Sequence, residues 1–153
     1  MIGVGTERGE DAAGLAVAEL LAKGALPAGV SVHRCERPLP DLLDALGGAD
    51  AAIVVDACRT GAPAGAVLRL ERVELGRALA SSSHALGVAE ALALAEALGR
   101  APARIEVIGV EIAEADAPRL APGAPAGVAE AARAALEIAK EIGGLSAKGS
   151  SDA

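Results

Sequence analysis

The chain has 153 residues, of which 52% are hydrophobic and 23% are charged, and its mean hydropathy is +0.41. These values are typical of one globular domain with a substantial core and exclude a generally disordered chain. A net charge of −7 and the absence of Phe, Tyr and Trp argue against a nucleic-acid partner. No apolar run approaches the roughly 18 residues of a membrane span, and no secretory signal is recognisable, so we expect a cytoplasmic protein.

Strand-like and helical segments alternate along the chain, which is typical of a mostly parallel sheet with helices on both faces. The predicted elements of the first half are strands at 1–5, 30–35 and 51–55 and helices at 11–23 and 41–46. The 51–55 run, Ala-Ala-Ile-Val-Val, is continuously apolar, as expected for a central strand buried on both faces, and it ends on Asp56.

The second half continues the same alternation. Its predicted elements are a loop at 58–65, strands at 66–73 and 104–110, and helices at 81–98 and 128–142. Apart from Glu90 and Glu96, the 81–98 helix is apolar nearly all round, so we expect it to be largely buried. Gly143-Gly144 is expected to end the last helix. The chain therefore divides into a single domain over 1–144 and a loose tail over 145–153.

Three polar residues, Asp11, Asp56 and His84, each lie at a predicted strand-to-helix junction. An open α/β sheet binds ligands at the carboxyl ends of its strands, so the fold can bring these residues together. Two carboxylates and one imidazole are a ligand set suited to a divalent transition metal such as nickel or zinc. A helix N-terminus disfavours the imidazolium and keeps His84 in the neutral form that a metal requires.

Each of the three residues also has a simpler structural interpretation. Asp11 lies in the first turn of a helix, where a carboxylate interacts favourably with the helix dipole. Asp56 is able to cap a helix or pair with Arg59, and His84 is able to lie at the surface as an ordinary imidazole. The residues alone leave these alternatives open, and the combination of the three favours a metal site.

Other catalytic and nucleotide-binding motifs are incomplete or absent. Gly3 and Gly5 begin a dinucleotide fingerprint, but Arg8 stands where the third glycine belongs, and no Walker phosphate loop is present. The serines at 81–83 lack the GxSxG context of a hydrolase nucleophile. The two cysteines, at 35 and 58, form neither a CxxC pair nor a metal-binding spacing, so two reduced thiols are expected.

The sequence resembles the hydrogenase maturation endopeptidases, the nickel-dependent processing proteases of [NiFe] hydrogenase, along nearly its whole length. GVGTERGEDAAG (3–14) is similar to the family's opening glycine loop and paired acidic residues. IVVDA (53–57) is similar to the central strand that ends in a metal-binding aspartate, and VIGVEI (107–112) to a later strand. SSSHALGVAEALALAEALG (81–99) is similar to the Ser-x-His-x-Leu-Gly start of a helix.

The resemblance implies a three-layer α/β/α sandwich with a mostly parallel, five-stranded twisted sheet. It implies that Asp11, Asp56 and His84 are the catalytic residues and the ligands of nickel, which the substrate presents. The implied activity is that of an aspartic-type endopeptidase that removes the C-terminal extension of a [NiFe] hydrogenase large-subunit precursor after nickel insertion. Glu10 is a spare candidate for the general base.

The opening loop departs from the family pattern. Thr6 replaces the usual Asn, the loop between Gly5 and Glu10 is about one residue shorter, and Glu10-Asp11 replaces an Asp-Asp or Asp-Glu pair. A misplacement of about 1 Å at Asp11 lowers a rate on the order of a hundredfold. Two other functions stay open: a non-catalytic protein that binds or checks the nickel-loaded precursor, and an α/β module that binds a small molecule.

Overall fold

The computed structural model describes residues 1–6, 12–78, 85–113 and 123–149. In chain order its strands and helices are β1 (Ile2–Val4), α1 (Ala13–Ala22), β2 (His33–Cys35), α2 (Leu43–Leu46), β3 (Ala51–Cys58), β4 (Val67–Leu70), α3 (Arg72–Ala78), α4 (Ala85–Ala97), β5 (Arg104–Glu111) and α5 (Ala124–Gly149). The strands form one five-stranded sheet of order β2-β1-β3-β5-β4. Helices cover both faces of this sheet, so the predicted three-layer α/β/α sandwich is confirmed.

The sheet is parallel except for the edge strand β4. β3 pairs in parallel with β1 and with β5, and β2 extends the sheet beside β1. β4 pairs antiparallel with β5. The chain therefore leaves β3, crosses the carboxyl end of β5 through residues 59–66 and returns along the far side of β5. We call residues 59–66 the crossing loop.

Two apolar clusters fill the space between the sheet and the helices. α1 and α5 pack on one face, where β3 contributes Ile53 and Val55. α2, α3 and α4 pack on the other face, where β3 contributes Ala52 and Val54. Because successive residues of a strand point to opposite faces, this alternation confirms the prediction that the apolar run is a central strand buried on both sides.

The predicted strands at 30–35 and 66–73 are longer than the strands observed. β2 begins only at His33, since its neighbour β1 begins at Ile2, directly opposite. β4 ends at Leu70 and is followed by α3, a helix that the sequence analysis did not predict. The start of α3 is stabilised by the backbone N–H of Glu71, which donates to the Glu74 carboxylate at 3.1 Å.

The short helix predicted at 41–46 begins earlier than expected. A single π-helical turn, Pro38–Leu42, precedes α2. The backbone N–H of Arg37 donates to Oδ2 of Asp41 at 2.9 Å and so stabilises the first turn. Proline is accommodated at the start of a helix because the first N–H groups have no partner within the helix.

Two predictions about the long helices are wrong. α4 buries one stripe: Leu94 on its outer side is 37% exposed, and Leu98, which the prediction included but which follows the end of α4, is 56% exposed. α5 continues through Gly143 and Gly144 to Gly149. Glycine lowers helix stability by about 1 kcal/mol but does not have to end a helix. The division into a domain over 1–144 and a tail over 145–153 stays a prediction. Among the described helices, none has the length and apolar character needed to cross a bilayer.

Candidate functional site

Asp56 lies on the central strand β3, two residues before the carboxyl end of that strand. The sequence predicted that the strand ends here, but its pairing with β5 continues through Ala57 and Cys58. The Asp56 side chain is 0% exposed, and its Oδ1 accepts a hydrogen bond from the N–H of Ala57 at 2.8 Å. It shares its face of the sheet with Val54 and Cys58, the face that α2, α3 and α4 cover.

Asp11 and His84, with the spare base Glu10, lie outside the described residues. The three-residue metal site therefore stays a prediction. Within the ranges that the structure describes, no group of three or more His, Cys, Asp or Glu side chains is arranged to hold a metal ion.

The described residues that follow Asp11 lie at the carboxyl end of the sheet. α1 begins at Ala13, and its second residue, Gly14, packs directly on the strand ends. A Cβ atom on Gly14 would lie 2.1 Å from the carbonyl oxygen of Val4 and 2.5 Å from that of Val55. Only a glycine allows α1 to begin this close to β1 and β3.

The described residues that follow His84 lie near the same end of the sheet. α4 begins at Ala85, and a Cβ atom on Gly87 would lie 2.8 Å from the Cβ atom of Pro38. Pro38 comes three residues after Cys35, the last residue of β2. Both helices whose starts the sequence analysis singled out therefore begin where the parallel strands end, which is where ligands bind in folds of this class.

A second buried carboxylate, which the sequence analysis did not single out, lies at the same end of the sheet. Glu111 is the last residue of β5 and is 2% exposed. Its Oε1 accepts hydrogen bonds from the N–H groups of Thr60 and Gly61 at 2.8 and 2.9 Å, and its Oε2 accepts one from Oγ1 of Thr60 at 2.9 Å. The thiol of Cys58 also donates to Oε2, at 3.5 Å.

These hydrogen bonds determine the ionisation of Glu111. Burial by itself raises the pKa of the carboxyl, and the hydrogen bonds from Thr60, Gly61 and Cys58 lower it. Together these hydrogen bonds outweigh burial, so the pKa of Glu111 lies below its usual range. The carboxylate is thus negatively charged at neutral pH although water hardly reaches it. The sequence contains a pattern that could have identified Glu111. It is the first charged residue after the apolar 107–110 run, just as Asp56 is the first after 51–55.

The far end of the crossing loop is also tied to Glu111. The backbone carbonyl of Glu111 accepts a hydrogen bond from the N–H of Gly65 at 2.8 Å. The backbone N–H of Glu111 donates to the carbonyl of Ala66, also at 2.8 Å. Gly65 has φ of +88°, and a Cβ atom there would lie 2.4 Å from the carbonyl oxygen of Gly123, beside the start of α5. The loop, Glu111 and the two residues after it line a cavity of about 520 Å³.

Cys35 and Cys58 are buried free thiols, which confirms the prediction of two unpaired cysteines. Burial, with smaller effects of Asp41 and Asp56, raises the pKa of Cys35 to about 12. Burial and the adjacent Glu111 raise the pKa of Cys58 well above its usual range. Both thiols are therefore expected to be protonated at neutral pH, which argues against Cys58 as an activated nucleophile.

The opposite, amino end of the sheet is open. A cavity of about 820 Å³ lies there, and its lining includes Met1, Asp50 and Gly143. Asp50 immediately precedes β3 and is exposed. This end lacks the buried carboxylates that characterise the carboxyl end among the described residues.

Comparisons with known proteins agree on one family. The family model described as HycI, hydrogenase maturation protease, matches residues 38–142, a range that includes Asp56 and His84 and begins after Asp11. No curated protein matches the chain at a significant level.

Solved structures of similar fold cover nearly the whole chain. An endopeptidase from Escherichia coli, determined in solution, is 26% identical, with a TM-score of 0.80 over 93% of this chain and 91% of that one. A [NiFe] hydrogenase maturation protease, HybD, from Thermococcus kodakarensis is 26% identical, with a TM-score of 0.67 over 92% and 95%. The hydrogenase maturating endopeptidase HybD from E. coli, at 24% identity and a TM-score of 0.74 over 93% and 91%, shows the shared fold.

Proposed function

The chain belongs to the hydrogenase maturation protease family, and we propose that it removes the C-terminal extension of a [NiFe] hydrogenase large-subunit precursor after nickel insertion. The observation that carries this proposal is the family match over 38–142, which contains Asp56, a wholly buried carboxylate on the central strand. Nickel belongs to the substrate in this proposal and arrives bound to the precursor. A cytoplasmic location is part of the same proposal.

We assign the contact with the substrate's nickel, and the catalysis, to Asp11, Asp56 and His84. Two carboxylates and an imidazole are donors that a divalent nickel ion accepts, and they leave positions open for the precursor's own ligands. Support comes from two helices that begin at the carboxyl end of the sheet. α1 begins two residues after Asp11, and α4 begins one residue after His84.

The chemistry we propose is hydrolysis of one peptide bond. The metal ion in the substrate supplies Lewis acidity that polarises the scissile carbonyl or the attacking water. A carboxylate of this chain accepts the proton of that water, and Asp11 and Asp56 are the candidates, with Glu10 in reserve. A buried position strengthens the electrostatic effect of Asp56 on such a proton, because little water screens it. We call the proposed enzyme an aspartic-type endopeptidase because an aspartate carboxylate accepts this proton.

The test measures cleavage of a nickel-loaded precursor by mass spectrometry, which detects loss of the extension directly. We expect Asp56→Asn, Asp11→Asn and His84→Ala each to lower the rate about a hundredfold or more, the usual effect of losing an acid or base. Asp50→Asn is the matched control, since it makes the same change at an exposed residue that immediately precedes the same strand. Its rate should equal that of the wild type.

Three results would overturn the proposal or a part of it. If the three variants cleave as fast as the Asp50→Asn control, the assignment of the site is wrong. If the wild-type protein binds the precursor and its mass stays unchanged, the protein is a non-catalytic binding or checking factor. Stabilisation by a small molecule alone, without any effect of the precursor, would indicate the small-molecule module instead.

A further inference from the structure

Glu111 holds both ends of the crossing loop through hydrogen bonds. Within the described part of the chain, every hydrogen bond of its carboxylate comes from Cys58, the last residue of β3, or from Thr60 and Gly61 at the start of the loop. Its backbone holds Gly65 and Ala66, at the end of the loop. This follows from the topology, because the chain must pass over the end of β5 and Glu111 is the residue at that end.

A carboxylate is an expensive choice for this position. A leucine or valine would fill the end of the strand without the cost of removing a charge from water. The donors that offset the cost are backbone N–H groups of Thr60 and Gly61, which become correctly oriented only when the loop has its observed shape. Compared with an apolar side chain, the Glu111 carboxylate therefore favours one defined conformation of the crossing loop.

The far end of the loop is fixed by contacts between backbones. A Cβ atom on Gly127 would lie 2.5 Å from the carbonyl oxygen of Gly65, so α5 and the loop approach as closely as glycine permits. Between the two fixed ends lies the sequence Ala62-Pro63-Ala64, in which Pro63 and Ala64 are exposed and Ala62 is half-buried. The loop also lines the 520 Å³ cavity.

The position of the loop relative to Asp56 suits a peptide that lies across the end of the sheet. The loop begins at Arg59, three residues after Asp56, which corresponds to at most about 10 Å of chain. Glu111, Cys58 and Asp56 lie on the same face of neighbouring strands. A tail of three or four extended residues spans a distance of this size, at about 3.3 Å per residue.

We propose that Glu111 is a positioning residue for substrate recognition, which fixes the crossing loop as one wall of the groove that receives the extended C-terminal tail of the precursor. This inference rests on the proposed function. Glu111 acts through the loop and takes no part in the bond-breaking step. A groove wall that is already formed lowers the ordering cost of binding, so its loss weakens binding more than it slows chemistry.

The first test compares Glu111→Ala with Glu106→Ala, the same change near the other end of β5, where the glutamate pairs with arginines at the surface. Initial rates against precursor concentration should show KM raised about tenfold in Glu111→Ala, with kcat within about threefold of wild type. Glu106→Ala should match wild type. Glu111→Gln should recover most of the loss, because its remaining carbonyl oxygen still accepts from Thr60 and Gly61.

A second measurement follows the loop itself. Amide hydrogen exchange at Thr60 and Gly61 should be faster in Glu111→Ala and unchanged in Glu106→Ala. If Glu111→Ala does not fold, Gly61→Ala replaces it. Gly61 has φ of +93°, which strains alanine, and an added methyl group meets nothing within 4 Å, so the change alters the loop and leaves Glu111 in place. It should raise KM in the same way.

The outcomes separate this inference from the proposed function. An unchanged KM in both loop variants, or a fall in kcat alone, overturns the positioning role even if Asp56→Asn abolishes cleavage. If wild type binds the precursor without cutting it, the proposed function fails, and the dissociation constants decide the inference: a roughly tenfold weaker complex for Glu111→Ala supports it, and equal constants overturn it. If wild type does not bind the precursor, both fail.

Discussion

The two ends of β5 stabilise a glutamate in opposite ways. Glu106, near the amino end, pairs with Arg69 and Arg104 at 2.8 Å, and these partners lower its pKa in contact with solvent. Glu111, at the carboxyl end, is buried and keeps a lowered pKa through hydrogen bonds from backbone and side-chain donors. A surface ion pair adds little and is easily replaced, whereas the buried arrangement requires a particular chain path around it. The negative charge of Glu111 therefore depends on the path of the chain around it, whereas that of Glu106 does not.

The same contrast holds for packing. At the carboxyl end Gly14 brings α1 against the carbonyl oxygens of Val4 and Val55, with no space for a side chain. At the amino end an open cavity separates the elements, and Gly143, which lines it, has nothing within 4 Å of an added Cβ atom. We expect substitutions at the carboxyl end to be costly and those at the amino end to be tolerated.

The largest effect on stability is expected from Gly14→Ala. Its methyl group would overlap two backbone carbonyls, so α1 must move off the sheet, which destabilises the fold by about 3 kcal/mol or more. Chemical denaturation followed by circular dichroism measures this, because a chain without Trp, Tyr or Phe has no aromatic fluorescence. A loss smaller than about 1 kcal/mol would show that α1 shifts freely and would remove the contrast in packing.

The next effect separates the two glutamates. Glu111→Ala removes the charged acceptor of the N–H groups of Thr60 and Gly61 and should cost about 2 kcal/mol, as expected for hydrogen bonds to a charged group. Glu106→Ala removes surface ion pairs and should cost at most about 1 kcal/mol. Both are measured by the same denaturation experiment. Equal losses would mean that burial gives Glu111 no special importance for stability.

The dependence of stability on pH should follow from the lowered pKa of Glu111. A folded-state pKa below the unfolded value, about 4.3, gives a contribution that is complete above that value and is lost as the pH falls through the folded pKa. The difference in unfolding free energy between wild type and Glu111→Gln should therefore shrink on acidification. A difference that stays constant down to about pH 3 would contradict this.

Salt sharpens the same comparison. Glu106 also has a lowered pKa, so the unfolding free energies of wild type and Glu106→Gln should differ in a way that depends on acid, by less than for Glu111→Gln. About 1 M salt should remove most of this difference. The difference for Glu111→Gln should persist in salt, because ions do not reach a buried carboxylate. A similar response of both variants to salt would remove the distinction between the two ends of β5.

The smallest effect is expected from Gly143→Ala. The residue lies inside α5 with free space around it, so alanine should stabilise the helix by about 0.5–1 kcal/mol. Thermal unfolding followed by circular dichroism measures the change. A loss of stability would indicate that the chain needs a glycine there, as expected if the helix ended at Gly143-Gly144.

Periodicity and composition were sufficient where one pattern dominates a segment. β3 was predictable because the continuous apolar run at 51–55 is typical of a strand buried on both faces. β5 was also predicted, at 104–110, although its burial changes from half-buried at its start to buried at its end. α4 was predicted to be largely buried because leucine and alanine surround it, but an outer layer of a sandwich buries only one stripe of each helix. α3 was missed because the alternation of β4 was continued into it.

The candidate site was predictable only in part. Asp56 was recognisable as a carboxylate that directly follows the apolar 51–55 run, although it lies within the observed strand. Glu111 carries the same signal at the end of β5, but its importance depends on the crossing loop. The path of that loop follows from the strand order β3-β5-β4, and spacing along the chain contains no information about which strands become neighbours. Asp11 and His84, which their positions at predicted strand-to-helix junctions also singled out, remain predictions because they lie outside the described residues.

The crossing loop has a consequence for how the protein is made. The N–H of Thr60 and the carboxylate that accepts it are 51 residues apart, and β4 pairs only with β5 among the described strands. During synthesis the loop and β4 emerge well before β5, so neither has its partner until β5 has left the ribosome. Formation of this end of the molecule therefore waits for insertion of the last strand, and a nascent chain that stops before Glu111 has no determined loop conformation.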